Sequence, residues 1–359
     1  MRRAQGGLLA ALVLSLALGA CAEREVPLAT RIANALPAAA VPARGETEPV
    51  GTNNADAADD PAIWRNPADA AGSLIVGTDK KAGLHVYGLD GKSRHFLDAG
   101  QVNNVDLRDR VTINGRPGIL VVASDRNDPA LARLALFSLD PQAARLTALG
   151  TLPAGAGEAY GVCLGQDAAG LSAFIVLKDG TINQILIDAA GASPQGRTVR
   201  TLKLGTQSEG CVVDDRTHRL YVAEEDVGLW RFDARADGVA EPVRIASADG
   251  RAIVADAEGV ALAPMGEAGG YVVLSSQGDN AYVLYSLPDE RFAGRFRIVD
   301  GAIGGAQETD GIDLMLGDFG PDYPGGLFVA QDGHNGPLAQ NFKLVGWRDI
   351  VAALGLKQD

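Results

Sequence analysis

Six positions along the chain carry Asp60, Asn104, Tyr160, Glu209, Glu258 and Asp310 in turn, at intervals of 44, 56, 49, 49 and 52 residues. Every one offers a side-chain oxygen. Asp56, Asp59, Asp106 and Asp256 lie close to them, and Glu225 and Gln277 stand at a second recurring position. The four histidines (His85, His95, His218, His334) fall elsewhere in the pattern and show no zinc spacing. Carboxylates gathered this closely repel one another unless a cation sits among them. A set made only of hard oxygen donors favours Ca²⁺, which takes about 6–8 oxygens. Read alone, the stretch from Asp56 to Trp64 also fits a solvated acidic turn ahead of a strand. Its recurrence is what points to a metal centre.

The same second position brings bases: Lys80, Lys81, Arg126 and Lys178. Lys and Arg beside an acidic ring make a paired design, with cations held by carboxylates and oxyanions clamped by the bases. A substrate rich in phosphate suits it. The formal net charge of −13 excludes nucleic-acid binding through the phosphate backbone, which needs basic surface. It would also repel a small polyanion, unless bound metal ions reverse the local field.

Elements that repeat must carry these side chains. Each acidic segment runs into a short apolar stretch of strand character, as in Asp59-Asp60-Pro61-Ala62-Ile63-Trp64 and Ala257-Glu258-Gly259-Val260-Ala261-Leu262. Some 15–20 residues later come an apolar run, a polar hinge and another apolar run, as in Leu74 to Tyr87 and Leu220 to Trp230. Six such units of about fifty residues, each with about four strands and almost no helical periodicity, describe an all-β chain folded as a six-bladed β-propeller over residues 46–359. The first strand of each unit lies next to the axis. The hinge between the second and third strands returns to the same face, so acids and bases converge on one end of the ring. Glu46 to Thr52 is expected to pair with the last blade and close the ring, and the amphipathic tail Trp347 to Leu356 is expected to be the only helix.

The N-terminus reads as a processing segment. Arg2 and Arg3 precede an apolar run, Leu8 to Leu18, that is too short for a membrane span, and Leu18-Gly19-Ala20-Cys21 follows. This looks like a bacterial lipobox. Residues 1–20 are then a signal peptide, Cys21 is lipidated, and Ala22 after it points to the outer membrane. Residues 21–45, rich in Ala and Pro without periodicity, read as a tether. The remaining cysteines, Cys163 and Cys211, fall one column apart in the repeat. Strand alternation then points them to opposite faces, so free buried thiols are expected. Neither heads the C-x5-R loop of a cysteine phosphatase, and no Arg-His-Gly motif of the histidine acid phosphatases is present.

With these motifs in order, the chain resembles the β-propeller phytases. The matching stretches include Asp56 to Trp64, Asn103 to Arg108, Gln207 to Gly210, Ala223 to Asp226, Asp256 to Gly259, Ser275 to Gly278, Glu308 to Asp313 and Gly326 to Asp332. The chain departs from the family pattern at Gly301–Ala306, a shorter loop without a carboxylate, and at Gly51. The resemblance implies a calcium-dependent 3-phytase, a phosphoric monoester hydrolase that removes phosphates stepwise from phytate (myo-inositol hexakisphosphate). It implies several Ca²⁺ ions, with Glu46, Asp59, Asp60, Asn104, Asp106, Glu209, Glu225, Asp256, Glu258, Gln277 and Asp310 as ligands of metal or metal-bound water. Lys80, Lys81, Arg126, Tyr160 and Lys178 would hold phosphate.

The expected mechanism is direct attack on phosphorus by a water bridging two Ca²⁺ ions, oriented by Glu209 or Asp256, with Lys80 and Tyr160 beside the reacting group. The expected partner is the small-molecule substrate alone, with contact to the membrane only through the lipid, and the expected state is a monomer. A six-bladed calcium lactonase or esterase and a non-catalytic binding propeller are the rival readings. The hinge bases speak against the first and the intact ligand set against the second.

Overall fold

The second strand of each repeat is apolar along its length because it is covered on both faces. In the computed structural model, which describes residues 26–53 and 56–357, six small antiparallel sheets stand around an axis. Their first strands are Ala58–Trp64, Val102–Ile113, Ala159–Asp167, Ser208–Asp214, Ala257–Met265 and Ile312–Leu316. Each touches the next, and the sixth touches the first, so the ring is closed. Apolar side chains fill the seams between blades: Leu120, Val122, Leu134 and Leu136 of blade two interleave with Val162, Leu164, Ala173 and Ile175 of blade three. The outermost strands, such as Ser93–Asp98 and Gln195–Lys203, are largely solvated. The six-bladed propeller expected from the repeat is the fold observed.

Closure follows the expected route. Gly45–Glu46 pairs antiparallel with Asn341–Gly346 and completes blade six. The tail helix runs Trp347–Leu354 and stops at Gly355, whose left-handed backbone caps it. It is joined by a second helix. Leu28–Asn34, inside the stretch read as a tether, forms helix α1, and Ala39–Pro42 adds a parallel fifth strand to blade five beside Phe296–Val299. Val41 from that strand is buried in the core there. Ala- and Pro-rich composition marked the segment as a linker, but a few small apolar side chains suffice when an edge strand is waiting to be paired. The signal peptide, Cys21 and the first residues of the tether lie outside the described residues. Among the described residues, no helix is long and apolar enough to cross a membrane.

The inner strands are not regular. Blades one to five each carry a β-bulge at the start of the first strand, between Ala58 and Pro61, Val102 and Val105, Ala159 and Gly161, Ser208 and Cys211, and Ala257 and Val260. The extra residues are the acidic column itself: Asp59-Asp60, Asn103-Asn104, Tyr160, Glu209-Gly210 and Glu258-Gly259. A bulge bends the strand and re-aims its side chains.

The expectation of two free thiols is overturned: Cys163 and Cys211 form a disulfide, with Cα atoms 5.7 Å apart. The two cysteines sit on the inner strands of neighbouring blades. Where two sheets pack side by side, the back of one meets the front of the next. Side chains that point oppositely within their own blades therefore point toward each other across the seam. Strand alternation was applied correctly, but the conclusion holds only for residues of one sheet.

Candidate metal and phosphate site

At the end of the channel where the bulges lie, Glu209, Glu225 and Glu258 offer carboxylate oxygens within 4.8 Å of one another, all three side chains buried. Glu209 and Glu258 stand on bulges of blades four and five, and Glu225 on the blade-four hinge. Burial, then the charge of Asp59, pushes the Glu209 carboxyl far above the usual range, and burial, then Glu209, does the same to Glu258. Burial raises Glu225 to about 7, with Asp256 adding to it and a hydrogen bond from Gln207 opposing it. Asp59 is pushed up to about 6 by burial and by Asp310, against the pull of Lys80. Asp59 Oδ1, Glu225 Oε1 and Glu258 Oε2 are buried with no hydrogen-bond partner. Three buried carboxylates with orphaned oxygens, Asp59, Glu225 and Glu258, gathered beside Glu209 fit a hard divalent cation.

One cation in the centre is the protein's own. Lys80 Nζ lies 2.6 Å from Asp56 Oδ1, 2.7 Å from Asp310 Oδ2 and 3.1 Å from Asp59 Oδ2. Burial works against its charge, but Asp59, Asp310, Glu209 and Asp56 together hold its pKa well above that of a free lysine. Burial likewise works against the charge of Asp56, yet Lys80 and Lys81 keep its carboxyl below the usual range. Gln277 donates from Nε2 to Asp310 Oδ1 at 2.5 Å. Asp256, whose carboxyl is raised by burial and by Asp226, borders the same rim.

The bases gather on the other side of the mouth, around one ring. Lys178 Nζ lies 5.1 Å from the Tyr160 ring centroid, and the Arg126 guanidinium carbon 6.0 Å from it. Arg126 also donates from Nη1 to Asn103 Oδ1 at 2.5 Å, and Asn103 Nδ2 donates to Glu209 Oε1 at 2.7 Å. The charge of Glu209, then burial, pushes the Tyr160 hydroxyl far up, so it stays protonated and can donate.

Thus Asp59, Glu209, Glu225, Glu258, Gln277, Asp310 and Asp256 are brought together, with Lys80, Lys81, Arg126, Tyr160 and Lys178 beside them. Asn104 is buried next to Asn103 on the same bulge. Three residues of the expected ligand set are placed differently. Asp60 and Asp106 point into the channel. There Asp60 Oδ2 accepts from Val105 N (3.0 Å) and Asp106 Oδ2 from Leu164 N (2.7 Å), each tying its blade to the next. Asp313 does the same for Ile63 N at 2.7 Å. Glu46 lies on the closing strand of blade six, where the buried Lys343 ammonium bonds it and also lies 3.2 Å from Asp332.

Sequence reading missed Asn103 and Gln340. The repeat marks one column per unit, whereas the bulge of blade two places Asn103 as well as Asn104 at the mouth. Gln340 Oε1 accepts from both Ala57 N (2.7 Å) and Ala58 N (2.9 Å), holding the acidic strand start from the hinge of blade six, which is longer than the hinges of the other blades.

The phytase family model matches residues 5–359. The chain is 37% identical over 334 residues to a 3-phytase of Bacillus subtilis (strain 168), covering 89% of this chain and 86% of that protein. A solved structure described as "Crystal Structure of Mitotic Checkpoint Complex" superposes with a TM-score of 0.47 at 14% identity, over 95% of this chain and 86% of that one, a likeness too loose to carry any argument. A propeller whose bulges aim buried carboxylates and hinge bases at one mouth, matched along nearly its whole length, belongs to the phytase family.

Proposed function

We propose that the chain is a calcium-dependent phosphomonoesterase that hydrolyses phytate, releasing phosphate and leaving lower inositol phosphates. The observation that carries this reading is the meeting, at one channel mouth, of the Glu209–Glu225–Glu258 cluster with Lys178 and Arg126 on the Tyr160 ring. Membership of the phytase family and the 3-phytase relative support the substrate.

Glu209, Glu225, Glu258, Asp59 and Asp310 would hold Ca²⁺, which supplies neutralisation of phosphate charge and acidification of water. The chain's own groups do the rest. Lys178 and Arg126 bind the phosphoryl oxygens and stabilise charge as it shifts toward the leaving oxygen. Tyr160 donates its hydroxyl proton in a hydrogen bond to the same group. Asp256 or Glu209 orients the attacking water and takes up its proton. Lys80, held by three carboxylates, keeps their mutual repulsion in check.

Phosphate release from phytate, measured with Ca²⁺ and with chelator, tests this. Release that stops in chelator is expected, and no release with Ca²⁺ present overturns it. Hydrolysis of a lactone or carboxylic ester instead would support the lactonase reading, and tight binding without turnover a capture propeller.

The same reading includes a monomeric, exported lipoprotein held at the outer membrane through Cys21, supported by the Arg2-Arg3, apolar run and Leu18-Gly19-Ala20-Cys21 order. Labelled fatty acid that enters the wild type and not Cys21→Ala is the expected result. Equal labelling of both refutes it.

A further inference from the structure

Two of the hinge bases are held by the bulge of their own blade, and they are held differently. In blade one the first bulge residue, Asp59, lies 3.1 Å from the Lys80 ammonium. In blade two the first bulge residue is Asn103, whose Oδ1 accepts from Arg126 Nη1 at 2.5 Å. A carboxylate cancels the charge of the base it holds. An amide holds the base by a hydrogen bond and leaves its charge for an anion arriving from solution.

The other neighbours of Arg126 are looser: Glu158 Oε1 lies 3.8 Å from Nη1, and the Tyr160 ring centroid 6.0 Å from the guanidinium carbon. Asn103 is therefore the group that sets where the guanidinium lies. Its side chain is wholly buried and every polar atom of it is engaged, since Nδ2 donates to Glu209 Oε1 at 2.7 Å and to Asn104 Oδ1 at 2.9 Å. A guanidinium has only hydrogens to give and an ionised carboxylate only lone pairs, so the amide between them fits one way round. Asn103 also orients its neighbour. Turning the Asn104 amide over would bring its nitrogen to Tyr160 O and Glu209 Oε1, but would set it 2.9 Å from Asn103 Nδ2, donor against donor.

The backbone makes this reach possible. In a regular strand, Asn103 and Asn104 would face opposite sides. The bulge between Val102 and Val105 turns both toward the mouth. Ser124 Oγ accepts from Asn104 N at 2.9 Å and donates to Tyr160 O at 2.5 Å, tying the bulge to blade three. Blades two, three and four thus meet around one buried amide.

We infer that Asn103 is a positioning residue that couples the two halves of the site: it holds Arg126 ready for a phosphate oxygen and, with the same amide, engages Oε1 of Glu209 so that the other oxygen faces the cation. This rests on the phosphatase reading above. Neither half can shift without straining a bond that serves the other. Loss of Asn103 therefore acts in two places, on phosphate through Arg126 and on Ca²⁺ through Glu209.

The test compares wild type, Asn103→Leu, Asn103→Ser, Arg126→Ala and the Asn103→Leu, Arg126→Ala double variant. KM for phytate is measured at saturating Ca²⁺, and Ca²⁺ affinity by calorimetry without substrate. Asn103→Leu is expected to raise KM about tenfold and to weaken Ca²⁺ binding about tenfold, the scale of one lost hydrogen bond to a charged group. In the Arg126→Ala background the same change should add nothing to KM and still weaken Ca²⁺ binding. Asn103→Ser, which keeps a donor and an acceptor at shorter reach, should fall between wild type and Asn103→Leu, and it carries the same comparisons if the leucine variant does not fold. A KM loss that adds in full to that of Arg126→Ala overturns the inference, as does wild-type Ca²⁺ affinity without the Asn103 amide. A wild type that releases no phosphate from phytate overturns the function instead. Calorimetric binding of inorganic phosphate then takes the place of KM, and the same two comparisons decide whether Asn103 acts on both halves.

Discussion

Gly161 and Glu209 meet across the seam between blades three and four so closely that a Cβ on Gly161 would lie 1.9 Å from the Glu209 carbonyl oxygen. The contact recurs around the ring. A Cβ on Gly210 would lie 2.3 Å from Glu258 O, and one on Gly259 2.6 Å from Asp310 O, while Gly259 N donates to Asp310 O at 2.8 Å. The glycine beside each acidic residue is what lets the next blade bring its own acid near the axis. Gly161→Ala should lower stability by about 1–3 kcal/mol and loosen the ligand cluster. Thermal unfolding and Ca²⁺ titration read both effects, and a wild-type melting curve with wild-type Ca²⁺ affinity would refute the close-approach role.

The disulfide between Cys163 and Cys211 staples that same seam across a sequence separation of 48 residues. A cross-link over such a loop is worth about 2–4 kcal/mol. Cys163→Ser with Cys211→Ser should lower the midpoint of denaturation accordingly while phosphate release at 25 °C persists, since neither sulfur borders the carboxylate cluster. Coincident denaturation curves for the variant and wild type would contradict the assignment.

Metal removal should couple stability to pH in a particular direction. Asp59 and Glu225, raised to about 6 and about 7, bind protons more tightly folded than unfolded. Their contribution is present below the ordinary carboxylate pKa of about 4 and is lost as the pH rises through about 6 to 7. In chelator the melting temperature should fall between pH 5 and pH 8. Ca²⁺ should stabilise the fold most at the alkaline end, by about 2.7 kcal/mol at a hundredfold excess over Kd. A chelator-treated protein more stable at pH 8 than at pH 5 would refute the carboxylate cluster as the pH-sensing group.

Roles within the site should separate kinetically. Asp256→Ala is expected to lose at least about two orders of magnitude in kcat without unfolding, the scale of removing one preorganised charge-stabilising group. Lys178→Ala should chiefly raise KM, by about tenfold, the equivalent of 1.4 kcal/mol. Near-normal turnover by Asp256→Ala, or a pure kcat loss in Lys178→Ala, would reverse the assigned roles.

Much of this was legible because it repeats. The column through Asp60, Glu209 and Asp310 marked strand starts, and six strand starts marked the propeller and the end where Glu225 and Lys178 would converge. What escaped was what the repeat does not encode. A bulge inserts a residue that periodicity treats as ordinary, so Asp59 turns to Lys80 while Asp60 turns into the channel, and Asn103 shares the place given to Asn104. Seam geometry reversed the conclusion for Cys163 and Cys211. Helix α1 carried no signal, since it lies in an Ala- and Pro-rich stretch and is anchored by the bond from buried Arg295 to the Leu36 carbonyl.

Glu46 and Lys343, 297 residues apart, join the two ends of the chain in one blade. During synthesis Gly45–Glu46 emerges early and has no partner until the last blade has been made. The four antiparallel strands of each of blades one to five can form from consecutive residues, but the circle cannot be locked before Asn341–Gly346 has been made. A truncated chain is thus left with an open ring and an exposed apolar face on blade one, a substrate for quality control rather than a partly working protein.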